Sequence, residues 1–156
     1  MSKLIPAIEV PVIQKGITSK VHLSSELNNK KVIIFGVPGA FTPTCSEKHM
    51  PSYIKLHQQF INKGIDDIYC LSVNDSFVMN AWLLSYTDSD KIIGIADGNG
   101  EITRDFNLLT DKSKNFMGMR SNRFAMIVHN NEILEVCIEN PGEYKVSSAE
   151  NILSKL

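Results

Sequence analysis

The chain of 156 residues sets 16 Lys+Arg against 17 Asp+Glu and is 43% hydrophobic and 21% charged, the balance of an ordinary globular protein. It is long enough to bury a full core without a disulfide or metal staple. A net charge of −1 argues against nucleic acid or an anionic membrane as the main partner, and no apolar run reaches the ~18 residues of a membrane span.

Three cysteines, Cys45, Cys70 and Cys137, are odd in number, widely spaced and without a C-x-x-C pair. That pattern fits neither a secreted disulfide framework nor a zinc site. Pro6 and Glu9 interrupt the stretch where an export signal would need unbroken apolar residues, so the expectation is a cytoplasmic protein with free thiols. No repeat, low-complexity tract or linker divides the chain, which reads as a single domain over residues 1–156.

In chain order, the first strong element is KVIIFGV, Lys31 to Val37, an unbroken apolar run suited to a strand buried on both faces. Met50, Tyr53, Ile54, His57, Phe60 and Ile61 then follow helical spacing, with Gly64 placed as the C-terminal cap. DIYCLSV, Asp67 to Val73, is a second buried strand, and strand, helix and strand in that order read as a βαβ unit. A helix is expected over Ser76 to Tyr86, with Asn74, Asp75 and Ser76 as candidate N-caps, then a short strand Lys91 to Ala96 ended by the turn DGNG. Glu101 to Leu109 reads as a short helix. Arg123 to His129 and Glu132 to Ile138 read as strands joined by a tight turn at Asn130-Asn131, and Ser147 to Leu156 as a closing helix. The sum is an α/β, thioredoxin-like plan, a central mixed β-sheet flanked by helices.

The chemistry-bearing segment follows the first strand: Pro38-Gly39-Ala40-Phe41-Thr42-Pro43-Thr44-Cys45. A cysteine in the first turn of a helix meets unpaired N–H groups and the positive end of the macrodipole, both of which favour thiolate over thiol. Thr42 and Thr44 can cap the helix or bond a substrate, and two prolines stiffen the loop. Position alone leaves a second reading open, in which Cys45 is a small residue at a helix start and the threonines are ordinary caps. A phosphate-loop reading from Gly36 and Gly39 is weak, because G-K-[ST] is absent and the prolines remove N–H donors.

GVPGAFTPTCSEKHMP, Gly36 to Pro51, resembles the active-site signature of peroxiredoxins, whose core P-x-x-x-T-x-x-C falls here on Pro38, Thr42 and Cys45. The G-A-F-T-P and K-H-x-P extensions are similar to the fifth, or type II, subfamily. The likeness continues through CLSVND, FVMNAW and RFAMIV, so it covers most of the chain in order. The resemblance implies a thiol-dependent peroxidase without metal, flavin or haem, acting on hydrogen peroxide and organic hydroperoxides. Cys45 matches the peroxidatic cysteine, Thr42 the hydroxyl that bonds peroxide and thiolate, Arg123 the site arginine and Pro38 the shielding proline. It also implies glutathione, glutaredoxin or thioredoxin as reductant, and a homodimer packed near the active-site loop, with Trp82, Phe41 and Phe77 as core or contact residues.

Arg123, Ala125 and Ile127 share one strand face, and a charge there wants a partner such as a thiolate, whereas Arg120 reads as a solvated loop charge. The position matching the second cysteine of some subfamily members is Val146, so that route is absent. Cys70 matches the second cysteine of plant-like members and is the candidate resolving thiol, yet it lies in an expected buried strand, where free cysteines are usually core residues. A Cys45–Cys70 bridge would need the helix start to unfold locally, and direct reduction by an external thiol is the alternative.

Cys137 alternates with Glu135 and Glu139, which suggests a solvent-facing, incidental thiol. His49, four residues after Cys45, is expected to bond backbone or water rather than serve as a base. Pro51 should kink the helix. Two competing functions remain: an interaction protein switched by oxidation of Cys45, and a thiol hydrolase using Cys45 with His49.

Overall fold

The computed structural model describes residues 3–156. Its strands are β1 (Lys3–Leu4), β2 (Glu9–Gln14), β3 (Ile17–His22), β4 (Lys31–Val37), β5 (Asp67–Ser72), β6 (Ile93–Ala96), β7 (Leu109–Asp111), β8 (Met119–Ser121), β9 (Phe124–His129) and β10 (Glu132–Ile138). Its helices are α1 (Leu23–Glu26), α2 (Met50–Asn62), α3 (Ser76–Leu84), α4 (Glu101–Asp105) and α5 (Ala149–Ser154). The main sheet runs β1-β10-β9-β4-β5-β6-β2-β3, and β7 and β8 form a separate ribbon. β4, β5 and β6 are mutually parallel, while β9 joins β4 and β2 joins β6 antiparallel.

Two apolar layers sandwich this sheet, and β4 feeds both. Ile33, Phe35 and Val37 enter the core under α2, α3 and α5, whereas Val32 and Ile34 enter the core on the α1 and α4 side. Each such side chain taken from water contributes about 1.5–3 kcal/mol, which is why no polar side chain follows the half-buried Lys31. Gly36 lies opposite Phe124 of β9, and a Cβ there would stand 2.0 Å from the Phe124 ring. The aromatic fills the space that only glycine leaves.

Local signals are satisfied by specific bonds. α2 ends where Gly64 adopts φ 92° and the Ile65 N–H reaches back to the Phe60 carbonyl, a Schellman-type stop. Asp75 is the cap of α3, accepting from the Val78 N–H at 2.8 Å, and Ser148 caps α5. Asn130 and Asn131 take φ 46° and 68°, the double left-handed turn that a two-residue hairpin needs. β6 begins at Ile93 rather than Lys91, because Ser89–Lys91 forms a 3-10 turn. The helix after DGNG is shorter than expected, ending at Asp105.

Four features were not read from sequence: the short strand β1, the β2–β3 hairpin, the one-turn α1 and the β7–β8 ribbon. β3 is largely exposed and polar, so it carries no burial pattern.

Candidate active site

The chain leaves β4 at Val37 and crosses one loop before a helix that runs over residues 43–62. In that loop Phe41 holds φ 65°, an unusual left-handed conformation for a bulky residue, costing about 1–3 kcal/mol. The surroundings fix it: the Ala40 N–H donates to Asn74 Oδ1 at 3.0 Å, and the Thr42 hydroxyl donates to the Gly39 carbonyl at 2.7 Å. The helix does not simply kink at Pro51. Its segment Cys45–His49 is a π-helical turn, in which the Met50 N–H reaches the Cys45 carbonyl five residues back, and Pro51 falls in the first turn of α2.

Cys45 is fully buried in the first turn. Arg123, the residue just before β9, projects toward it and donates Nη2–H to Sγ at 3.2 Å, with Nη1 3.0 Å from His49 Nδ1. A guanidinium can only donate, so His49 Nδ1 is the acceptor and its proton sits on Nε2, which donates to the Ser147 carbonyl at 3.0 Å. Burial, with the Arg123 charge adding to it, pulls the His49 pKa down to about 3. His49 is therefore a neutral support for Arg123. Its basic nitrogen is occupied, which overturns the thiol-hydrolase reading.

The support is itself braced. The Tyr53 hydroxyl also donates to the Ser147 carbonyl, at 2.8 Å. Ser147 in turn gives its N–H and hydroxyl to Glu139 Oε2, at 2.9 and 2.7 Å. Burial would push the Glu139 carboxyl up, but hydrogen bonds from Ser147 and the Lys145 amide win and hold it below its ordinary value.

A cleft of about 330 Å3 opens beside this cluster, lined by Pro38, Thr42, Thr44, Lys112, Met117 and Arg123 among others. Pro38, Thr42 and Arg123 thus share one opening with the buried thiol behind them. Because the Thr42 proton is committed to Gly39, its oxygen offers lone pairs to an incoming O–H. Lys112 was not singled out from sequence, and its isolated position in the chain gives no signal. Arg120 differs from expectation. It is half-buried in β8, with Nε donating to Met117 and its guanidinium lying against Gly39 of the site loop.

Cys70 sits fully buried in β5, in the same core as Cys45. Burial, and then the nearby Cys45 charge, push its thiol well above the usual value. The solvent-facing expectation for Cys137 is corrected. It shares a face with Glu135 and Glu139 as read, but it is half-buried against the core that holds Ile152 of α5, and Ser147 bonds the buried Glu139, while Glu135 stays exposed and pairs with Lys155 at 3.1 Å. Among the described residues no group of three or more His, Cys, Asp or Glu side chains could hold a metal ion.

The Redoxin family profile matches residues 2–153. Peroxiredoxin-2D of Arabidopsis thaliana is 47% identical over 136 residues, which span 87% of this chain and 84% of that one. The crystal structure of reduced Prx3 from Vibrio vulnificus, in complex with hydrogen peroxide, superposes with a TM-score of 0.92 at 38% identity, covering 98% of this chain and 96% of that one. The Plasmodium falciparum antioxidant protein, a 1-Cys peroxiredoxin, does so at 0.90 and 36% identity, covering 97% and 94%. Thioredoxin-like architecture and profile together define a redoxin. Within that class the chain belongs to the peroxiredoxins, in the type II or fifth subfamily, and is a thiol peroxidase that reduces hydroperoxides.

Proposed function

We propose that Cys45 is the thiol that attacks peroxide, with Arg123, Thr42 and Pro38 as its site. The single observation that carries this is the Arg123 guanidinium, bonded at once to Cys45 Sγ and to a neutral His49 that cannot compete for the proton. The thiolate attacks the O–H oxygen of ROOH, the O–O bond breaks, Cys45 becomes the sulfenic acid, and the departing alkoxide takes a proton from solvent. Arg123 supplies donors where negative charge moves from sulfur to the leaving oxygen. Thr42 accepts the peroxide O–H, and Pro38 covers the opening against water. Two thiols complete the cycle: the first displaces water to give a mixed disulfide with Cys45, the second releases it, so ROOH + 2 RSH gives ROH, water and RSSR.

An external thiol does the recycling: glutathione, glutaredoxin or thioredoxin. The high, buried Cys70 thiol in a central strand supports a packing role for that residue rather than a resolving one. The whole chain acts as one unit, and its free thiols among the described residues suit a reducing, cytoplasmic setting.

A homodimer packed near the site loop is supported by exposed aromatics around it. Phe41 is 56% exposed, Phe77 85% and Phe116 98%. The Ala40–Asn74 bond brings the first two segments together, and Met117 packs on Gly39. Trp82, by contrast, is wholly core. Steady-state turnover in Cys45→Ser and Cys137→Ser tests the assignment: the first is expected to be inactive and the second to turn over. Full activity in Cys45→Ser would refute it.

A further inference from the structure

The cleft beside Cys45 holds one cation that the reaction at sulfur does not use. Arg123 is committed to Cys45 Sγ and His49 Nδ1, and Arg120 lies back against Gly39 with its Nε on the Met117 carbonyl. Lys112 differs. It lines both the cleft of about 330 Å3 and a smaller recess of about 120 Å3, which share Pro38, Thr44 and Arg123. Its side chain is half-buried. Yet among the described residues its ammonium makes no ion pair and no hydrogen bond, the lysines paired with carboxylates being Lys30, Lys145 and Lys155.

The carboxylates nearby are already held. Glu143, which lines the recess, binds Lys145 at 2.8 Å and accepts from Asn140 Nδ2 at 2.8 Å. Asp111, the neighbour in the chain, accepts from the Ser113 N–H at 2.8 Å. The backbone fixes where the free charge stands. The Lys112 N–H donates to the Gly118 carbonyl at 2.7 Å, and the Lys112 carbonyl accepts from the Asn115 and Met117 N–H groups at 2.9 and 3.2 Å. The tip of the β7–β8 ribbon thus presents Lys112 at the cleft before any ligand arrives, which lowers the ordering cost of binding. A lysine so placed keeps its ammonium in water while its methylenes run along the wall. Around it that wall is apolar, built by Pro38, Pro43 and Met117.

We propose that Lys112 is a specificity-determining residue that anchors a carboxylate carried by the hydroperoxide, so that the site favours carboxylated organic hydroperoxides over uncharged ones. The cleft is formed while the thiols are free, the state that meets the peroxide, which assigns the anchor to the peroxide rather than to the reductant. The Cys45 thiolate bonds the O–H oxygen and the O–O bond breaks. The alkoxide, still carrying its carboxylate, takes a proton from solvent and leaves as the alcohol. Hydrogen peroxide has no group that engages Lys112. The inference rests on the reading of Cys45 as the reacting thiol.

The test compares cumene hydroperoxide bearing a para carboxylate with the methyl ester of the same compound, in wild type, Lys112→Met, Lys112→Glu and Lys112→Arg. Rapid quench, alkylation and mass spectrometry read how fast the free Cys45 thiol disappears. Each rate is divided by the same protein's rate with hydrogen peroxide, which cancels any general effect on the site. Wild type should oxidise about two- to fivefold faster with the acid than with the ester, the worth of one partly exposed ion pair. Added salt should shrink that preference. Lys112→Met should abolish most of it, Lys112→Glu should lower it further, and Lys112→Arg should keep it. A preference that Lys112→Met and Lys112→Glu leave unmoved would overturn the proposal. So would an effect confined to reduction of the sulfenic acid by glutathione and absent with an uncharged thiol, since the charge would then serve the reductant. Thiol loss at Cys70 or Cys137 in place of Cys45 refutes the reading of the reacting thiol, whereas loss at Cys45 with an unmoved preference refutes the carboxylate anchor alone.

Discussion

His49 should make the protein acid-labile in a way that a single substitution removes. Its pKa is pulled from 6.5 to about 3, first by burial and then by Arg123. In the unfolded chain it titrates normally, so between those values the unfolded state binds a proton that the native state refuses. Stability from this residue is therefore intact above pH 6.5 and is lost as pH falls toward the native value, at up to about 1.4 kcal/mol per pH unit. From about pH 6 to about pH 4 the integrated loss is about 2–3 kcal/mol, a large share of a typical 5–15 kcal/mol. His49→Gln keeps an acceptor for Arg123 and a donor for the Ser147 carbonyl but cannot take a proton. Urea unfolding of both proteins across this range should show the variant losing about 2–3 kcal/mol less than wild type. Equal losses in the two would show that His49 does not sit buried and neutral against Arg123, and the account of the site would fail with it.

Arg123→Lys replaces a two-pronged donor with a point charge that can serve Cys45 Sγ or His49 Nδ1 but not both. Stopped-flow oxidation by peroxide should slow about 10- to 100-fold with the fold intact by circular dichroism, and an unchanged rate would contradict the role given to Arg123. Cys70→Ala should leave peroxide turnover with glutathione or thioredoxin within about twofold while lowering Tm modestly, as loss of a small core group does. Thioredoxin-supported activity that vanished would make Cys70 a resolving thiol. Gly36→Ala drives a methyl into the Phe124 ring and should destabilise by about 1–3 kcal/mol in urea unfolding, with a neutral result contradicting the packing described for β4 and β9.

What the sequence discloses follows from what each residue faces. β4 and β5 are legible because both faces are buried at every position after the first. The Asn130-Asn131 turn is legible because its backbone demands residues that tolerate positive φ. β3 is not, because a largely exposed strand carries no hydrophobic period. In the site, the motif brings Pro38, Thr42 and Cys45 within one loop, but the brace from Glu139 through Ser147 and His49 to Arg123 is built from four separated segments. No local pattern encodes such a chain. Cys137 shows the same limit from the other side: alternation places it correctly beside two glutamates, yet charge alone does not reveal that the core half-covers Cys137 and that Ser147 bonds a buried Glu139. Pro51 signals a departure from regular helix, and only the backbone shows that the departure is a π turn that leaves the Ser46 carbonyl to Tyr86.

The most direct test of the central claim is to oxidise the reduced protein with a single equivalent of hydrogen peroxide, trap sulfenic acid with a dimedone-type reagent and locate the adduct by mass spectrometry. The adduct is expected on Cys45, with Cys70 and Cys137 unmodified. An adduct on Cys70 or Cys137, or continued peroxide turnover with Cys45 unmodified, would contradict the account.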